Sequence, residues 1–182
     1  SNISLEKFDL VILPGSKLVI KDLIWLKQTG LFEQIKNYKK DICAICGGYE
    51  MMFENLEDKY SLENEEAIKE EGFALIDDVI TFEKEKILEK KTYDLFGEKI
   101  EGFEIHHGMC ENYPLSFEKQ NFKGTFVHQI FDNNEFRTKY FKSIKANYVG
   151  FDFQEYKKQT VDNFISTLKA KLDIKRVLDS VL

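Results

Sequence analysis

The stretch Ile42-Cys43-Ala44-Ile45-Cys46-Gly47-Gly48-Tyr49-Glu50 constrains this chain more than any other. A short apolar run, of the length of a buried strand, meets a cysteine and two glycines before an amphipathic stretch begins. The pattern predicts a strand, a sharp turn and a helix start. A cysteine at such a turn stands clear of its neighbours and points at the amide-rich first turn of the next helix, where a thiolate is stabilised. Folds present nucleophiles in this way.

A similar unit comes before it. The apolar run over residues 8–13 stops at Pro14-Gly15-Ser16-Lys17, which reads as a buried strand delivering a turn at its C-terminal end. From residue 21 to 38, Leu23, Ile24, Leu26, Leu31, Phe32 and Ile35 recur at helical spacing, with Gly30 able to divide the stretch into two helices. A second strand over residues 41–45 then leads to Cys46. Strand, helix, strand, helix implies a crossover connection and an α/β fold whose parallel sheet is covered on both faces. Residues 72–76, 81–83, 100–105 and 124–128 read as further strands, the last ending on His128. The charged stretch 57–70 reads as a surface connection with some helix and no chemistry of its own. Residues 153–172 predict a helix with Phe164, Ile165, Leu168 and Leu172 on one face, and 174–182 a short last helix.

Composition narrows the function classes. With 182 residues, 43% apolar and 14% aromatic, residues 1–182 read as one globular domain. The net charge of −6 is spread over mixed acidic and basic runs, which argues against nucleic acid as a partner. No apolar run approaches the roughly twenty residues that span a bilayer, and the first nine residues do not form a signal peptide, so no membrane partner is expected. Three cysteines, an odd number, do not make a disulfide framework and fit the reducing cytoplasm.

Cys46 and His128 are both predicted at the carboxyl ends of strands, where open α/β sheets gather reactive groups. As a pair, His128 would take the thiol proton and return it to a leaving amine. The Gly47 amide and an amide of the Pro14-Gly15-Ser16 turn would hold the oxyanion. This is acyl-transfer chemistry. Two other readings use the same cysteines. Cys43-Ala44-Ile45-Cys46 has the spacing of a redox pair, although Cys43 falls inside the apolar run. Cys43, Cys46, His107 and Cys110 together make a zinc set by residue type, although the first two would have to leave a strand to chelate.

Taken in order, several motifs resemble the glutaminase domain of the cobyric acid synthase family, within the class I glutamine amidotransferase superfamily. Leu13-Pro14-Gly15-Ser16-Lys17 with Asp22-Leu23-Ile24-Trp25-Leu26 is similar to that family's Pro-Gly-Ser-Lys turn and following helix. Cys46-Gly47-Gly48-Tyr49 resembles its nucleophile turn. Gly72-Phe73-Ala74-Leu75-Ile76 with Thr81-Phe82 and Lys86, Gly102-Phe103-Glu104-Ile105-His106-His107-Gly108, and Gly124-Thr125-Phe126-Val127-His128 follow in the family's order. Ile130-Phe131-Asp132-Asn133-Asn134-Glu135-Phe136-Arg137 and Leu172-Asp173-Ile174 complete the match.

The resemblance implies a flavodoxin-like α/β fold, with a mixed, largely parallel sheet and helices on both faces. The family's first strand and helix are expected to be absent ahead of residue 1, making residues 1–182 the C-terminal fragment of a larger synthetase. It implies hydrolysis of glutamine through a glutamyl thioester on Cys46, with ammonia passing to an N-terminal ATP-dependent synthetase domain that amidates the corrinoid adenosylcobyrinic acid a,c-diamide. No metal or cofactor is expected in this domain; ATP and Mg belong to the synthetase domain. The implied catalytic residues are Cys46 and His128, and the implied substrate-binding residues are Gly15, Ser16, Gly47, Glu50, Glu104 and His106.

The chain also departs from the family. Glu50 stands where the family has glutamine, which adds negative charge near the thiolate and raises the thiol pKa. The family has glycine at Ala44 and Gln129, and asparagine at Leu18. Ile130 occupies the place where many relatives in the superfamily carry a glutamate that orients the histidine, leaving Glu104 or His106 for that part. The amidotransferase subunit of lipid II amidation is a neighbouring reading, though it has Asn-His where this chain has Glu-Ile-His. Outside enzymes, a non-catalytic, zinc-stabilised regulatory module would retain only the fold.

Overall fold

The computed structural model describes residues 4–112, 115–173 and 176. The apolar run before Pro14 forms β1 (Leu10–Leu13), and the 21–38 stretch forms α1 (Val19–Gln28) and α2 (Leu31–Lys36). Gly30, at φ 75°, separates the two helices in the left-handed conformation that glycine adopts without strain. Val19, Ile20, Leu23 and Leu26 bury one face of α1, while Trp25 on the other is 54% exposed. β2 (Asp41–Ile45) has the predicted bounds and pairs in parallel with β1, Leu10 opposite Asp41 through Leu13 opposite Ala44.

After β2 come the single turn α3 (Gly47–Glu50), β3 (Phe53–Asp58), β4 (Ile68–Glu71), β5 (Ile76–Leu95), β6 (Glu98–Met109), β7 (Ser116–Lys119), β8 (Phe122–Thr125) and β9 (Val127–His128). They form two sheets rather than one, in the orders β1-β2-β8-β7 and β4-β3-β5-β6-β9. The α/β class stands. The parallel ladder is concentrated in β1, β2 and β8, whereas the second sheet is built around the antiparallel hairpin β5–β6. That hairpin closes over Phe96-Gly97, both at positive φ, the geometry that matches the strands' twist. Its charged, exposed central part hides it in the sequence, where only 81–83 and 100–105 read as strand.

Two expectations change locally. Residues 72–75 are not a strand: the Gly72 and Phe73 amides donate to the Glu54 and Met51 carbonyls, and Ala74 has φ 54°. Residues 124–128 divide between the two sheets at Phe126, which is fully buried and packs edge-on to Tyr49 at 4.9 Å. The Thr125 hydroxyl fixes this switch by accepting from the Val127 amide at 3.1 Å. His128 is thereby carried out of the parallel sheet and set opposite Phe103 on β6.

The chain divides into two compact units, residues 1–130 and 131–182. The second contains α4 (Asn134–Ile144) and α5 (Phe153–Lys171). It has its own centre: Phe131 packs against Phe136, Tyr140 and Phe141, and Phe141 against Tyr148. Arg137, 4% exposed, donates to the Phe131 carbonyl at 2.7 Å, to Asn134 Oδ1 at 2.9 Å and to the Phe151 carbonyl. Helix α5 buries no residue, so the apolar face expected there is exposed, with Phe164 at 62%. The predicted helix over 174–182 lies outside the described residues, Arg176 excepted.

Arg137→Ala would leave two backbone carbonyls without their charged donor, and should destabilise the second unit by about 2–4 kcal/mol. Arg137→Lys should not restore it, because an ammonium cannot span the fork. Hydrogen exchange of amides in α4 under native conditions checks both: protection should fall in each variant, and unchanged protection in Arg137→Lys would contradict the assignment.

Candidate active site

Where β2 ends, the backbone turns sharply at Cys46, with φ 50° and ψ −113°. Three main-chain bonds hold it there. The Cys46 amide donates to the Thr125 carbonyl at 2.8 Å, the Glu50 amide to the Cys46 carbonyl at 2.9 Å, and the Gly48 amide to the Pro14 carbonyl at 3.0 Å. The last bond joins this turn to the one that follows β1. A Cβ on Gly48 would stand 2.3 Å from the Leu13 carbonyl oxygen, and one on Gly47 would stand 2.7 Å from the Ser16 nitrogen. Only hydrogen at both positions lets the turns touch, which brings the Gly47 and Ser16 amides to one place.

Gly15 lies between the two reactive side chains. A Cβ there would meet His128 Cε1 at 3.0 Å and Cys46 Cβ at 3.6 Å. Cys46, 5% exposed, donates its thiol hydrogen to the Ile105 carbonyl at 3.6 Å. The His128 ring stacks on Phe103, centroids 4.9 Å apart and planes within 5°, and its Nε2 is buried without a hydrogen-bond partner. The base therefore has one nitrogen unoccupied. Gly15, Ser16, Cys46, Glu50, His106 and His128 line one cleft of about 590 Å³, together with Lys17, Leu62, Glu63, Lys86, Ile105 and His107.

Charge in this cleft favours neutral resting groups. Burial pushes the Cys46 thiol up to about 12, the Glu50 carboxyl adds to the rise, and the Gly47 amide acts against it. The thiolate stabilisation expected from a helix start is outweighed, since α3 is a single turn with little dipole to offer. Burial lowers the pKa of His128, and neighbouring His106 lowers it further. A neutral thiol thus faces a neutral imidazole, so proton transfer accompanies attack rather than preceding it.

His106 donates from Nδ1 to the Gly108 carbonyl at 2.9 Å and stacks on Phe126 at 4.1 Å. Its Nε2 lies 3.5 Å from Glu104 Oε2, both side chains being buried, and the Tyr93 hydroxyl hydrogen-bonds to the Glu104 carboxyl. Glu104 does not line the cleft, contrary to its expected place among the substrate contacts. It supports His106, because alternation along β6 puts 104 and 106 on the same, buried face. Glu50 is 2% exposed, receives the Gly108 amide, and keeps Oε1 without a partner; burial raises its carboxyl to about 8, with Glu63 contributing.

Glu63 is the cleft residue that sequence reasoning missed. The stretch 57–70 holds no helix but a strand end, a loop and β4. Asp58, fully buried, accepts from the amides of Leu62 at 2.8 Å, Glu63 at 2.9 Å and Asn64 at 3.2 Å. Burial works to raise its pKa, yet these donors hold it below the ordinary value. The loop so fixed sends Glu63 Oε2 to within 2.7 Å of the Val19 amide at the start of α1. One signal was available: Leu18, the residue before α1, has no side-chain oxygen to cap it, so the cap had to come from elsewhere.

The other cysteine readings fail on position. Cys43 is 2% exposed inside β2, and Cys110 packs against the core. Among the described residues no group of three or more His, Cys, Asp or Glu is placed to hold a metal ion.

Residues 1–136 match the family model described as the CobB/CobQ-like glutamine amidotransferase domain. The chain belongs to that family. A cobyric acid synthase of Acinetobacter baylyi is 55% identical over 181 residues, covering 100% of this chain and 39% of that protein. One of Clostridium tetani is 38% identical over 165 residues, covering 78% of this chain and 33% of that protein. The amidotransferase chain thus spans well under half the length of these relatives. A crystal structure of a glutamine amidotransferase superposes with a TM-score of 0.53 at 11% identity, over 77% of this chain and 80% of the other, which establishes the shared fold.

Two outcomes follow from the geometry. Because position 46 needs a positive φ, Cys46→Gly should be more stable than Cys46→Ala by about 1 kcal/mol in urea unfolding, and the reverse order would contradict a strained turn. The unfolded Glu50 carboxyl loses its proton near the ordinary value of 4.5, whereas the folded one keeps it to about 8, so its burial costs stability as pH rises through that window. Glu50→Gln should flatten this dependence and stabilise the protein at pH 8, by on the order of 2 kcal/mol; equal slopes in both proteins would contradict it.

Proposed function

We propose that this amidotransferase domain hydrolyses glutamine through a γ-glutamyl thioester on Cys46 and supplies ammonia to the synthetase part of a cobyric acid synthase. One observation carries the reading: a buried thiol on a strained turn and an imidazole with an unoccupied nitrogen stand on either side of Gly15. His128 takes the thiol proton as Sγ attacks the carboxamide carbon of glutamine. The oxyanion is met by the Gly47 amide and an amide of the Gly15-Ser16 turn. The intermediate collapses as the carbon–nitrogen bond breaks, with His128 returning the proton to the departing ammonia. Water, activated by the same histidine, then cleaves the thioester to glutamate and restores the thiol.

The likeness to much longer cobyric acid synthases supports a synthetase part on the same full-length protein, where ATP and magnesium would activate carboxylates of adenosylcobyrinic acid a,c-diamide. No helix of the described residues is long and apolar enough to cross a membrane. The three cysteines, which suit a reducing environment, support a cytoplasmic reaction as part of this reading.

Glutamate release from glutamine tests the proposal. Cys46→Ala should abolish it, and His128→Asn should lower it by at least about 100-fold, the scale of a lost general base. Release that persists in Cys46→Ala would contradict the thioester route.

A further inference from the structure

We propose that this domain carries a nucleotide site of its own: a second cleft, toward the opposite end of β2 from Cys46, binds a nucleoside triphosphate. The inference does not depend on the glutamine-hydrolysing reading. The cleft, of about 510 Å³, is formed by the end of α2, the segment over residues 72–75 and the β7–β8 hairpin. Ile42 and Phe122, paired across β2 and β8, line it. At about 3.3 Å per strand residue, Ile42 stands roughly 13 Å before Cys46. The two clefts share no lining residue. The floor of this one is apolar and fixed: Met52, Phe73 and Phe122 are buried, and Phe73 stacks on Phe32 at 4.3 Å. Phe117 and the exposed Leu75 extend it outward.

The rim has the opposite character. Lys36 and Lys39 come from the end of α2 and the turn after it, and Lys119 from the hairpin. No Asp or Glu is among the described residues that line the cleft, in a chain with 32 acidic and 26 basic side chains. None of the three lysines has a carboxylate partner among the described residues, and Lys36 leans over the Phe32 ring at 5.7 Å. Separated cations without a counter-charge favour a ligand whose negative charge is spread over several groups, and lysine is a common partner of phosphate. The Gln120-Asn121 turn of the hairpin is tied down, with the Ile42 amide on the Asn121 carbonyl at 2.9 Å and the Asn121 side-chain amide on the Lys40 carbonyl. This sets the Gln120 carboxamide at the cleft, where such a group can pair with the hydrogen-bonding edge of a base, as Gln does with adenine. Aromatic walls, a carboxamide and separated cations together match a flat base that carries a polyphosphate. A simple inorganic anion would leave the apolar floor unused.

Isothermal titration of the protein with ATP, adenosine and inorganic tripolyphosphate, each without magnesium, tests this. ATP should bind at least about tenfold more tightly than either part alone, since stacking and charge both contribute. Lys36→Gln, Lys39→Gln and Lys119→Gln combined should weaken ATP binding by at least about tenfold. All three lysines are exposed, so the fold should tolerate the change. Leu75→Glu, which sets a carboxylate at the exposed edge of the floor, should weaken ATP more than adenosine. No binding of ATP, adenosine or tripolyphosphate binding as tightly as ATP, or ATP binding that either the triple variant or Leu75→Glu leaves undiminished would overturn the proposal.

Discussion

The contact between two main-chain turns, one after β1 and one after β2, is the constraint on which the rest of the site depends. Parallel pairing of β1 with β2 delivers both turns to the same end of the sheet. The absence of side chains at Gly47 and Gly48 then lets them meet, with the Gly48 amide on the Pro14 carbonyl. The backbone strain at Cys46 persists because this bond, the Thr125 bond and the start of α3 together over-determine the turn. Fixing the nucleophile this way removes it from the menu of rotating surface groups and leaves a defined gap beside Gly15 for the reacting atoms.

The second sheet supplies what the first lacks. β8 ends in the parallel sheet at Thr125, Phe126 fills the junction, and β9 sets His128 against β6. The imidazole thus arrives from a different layer than the thiol, stacked on Phe103 and flanked by His106. Burial of the thiol, with the Glu50 and Glu63 carboxyls adding to it, keeps it protonated at rest, which suits chemistry that starts only when substrate fills the cleft.

The sequence made the first half of the domain legible because its signals are local. A short apolar run ended by Pro14-Gly15 or by Cys46-Gly47 can be little else than a buried strand with a turn, and Gly30 between two helical stretches reads directly as a break. The second sheet was hard to read for the opposite reason. The central part of β5 is exposed and charged, so its strand character there comes from pairing with β6 rather than from its own pattern. The switch at Phe126 and the Asp58 anchor are tertiary events, invisible to periodicity. Glu63 was hidden in a run of acids whose composition suggests only a solvated surface, and Glu104 looked like a cleft residue until alternation along β6 turned it inward toward His106.

The most direct measurement is peptide mass spectrometry after incubation with 6-diazo-5-oxo-norleucine, a glutamine analogue whose diazo ketone alkylates a thiolate at the position of the carboxamide. The account predicts one adduct, on Cys46, prevented by excess glutamine, with Cys43 and Cys110 unmodified. An adduct on another cysteine, or labelling of Cys46 that glutamine does not slow, would contradict it.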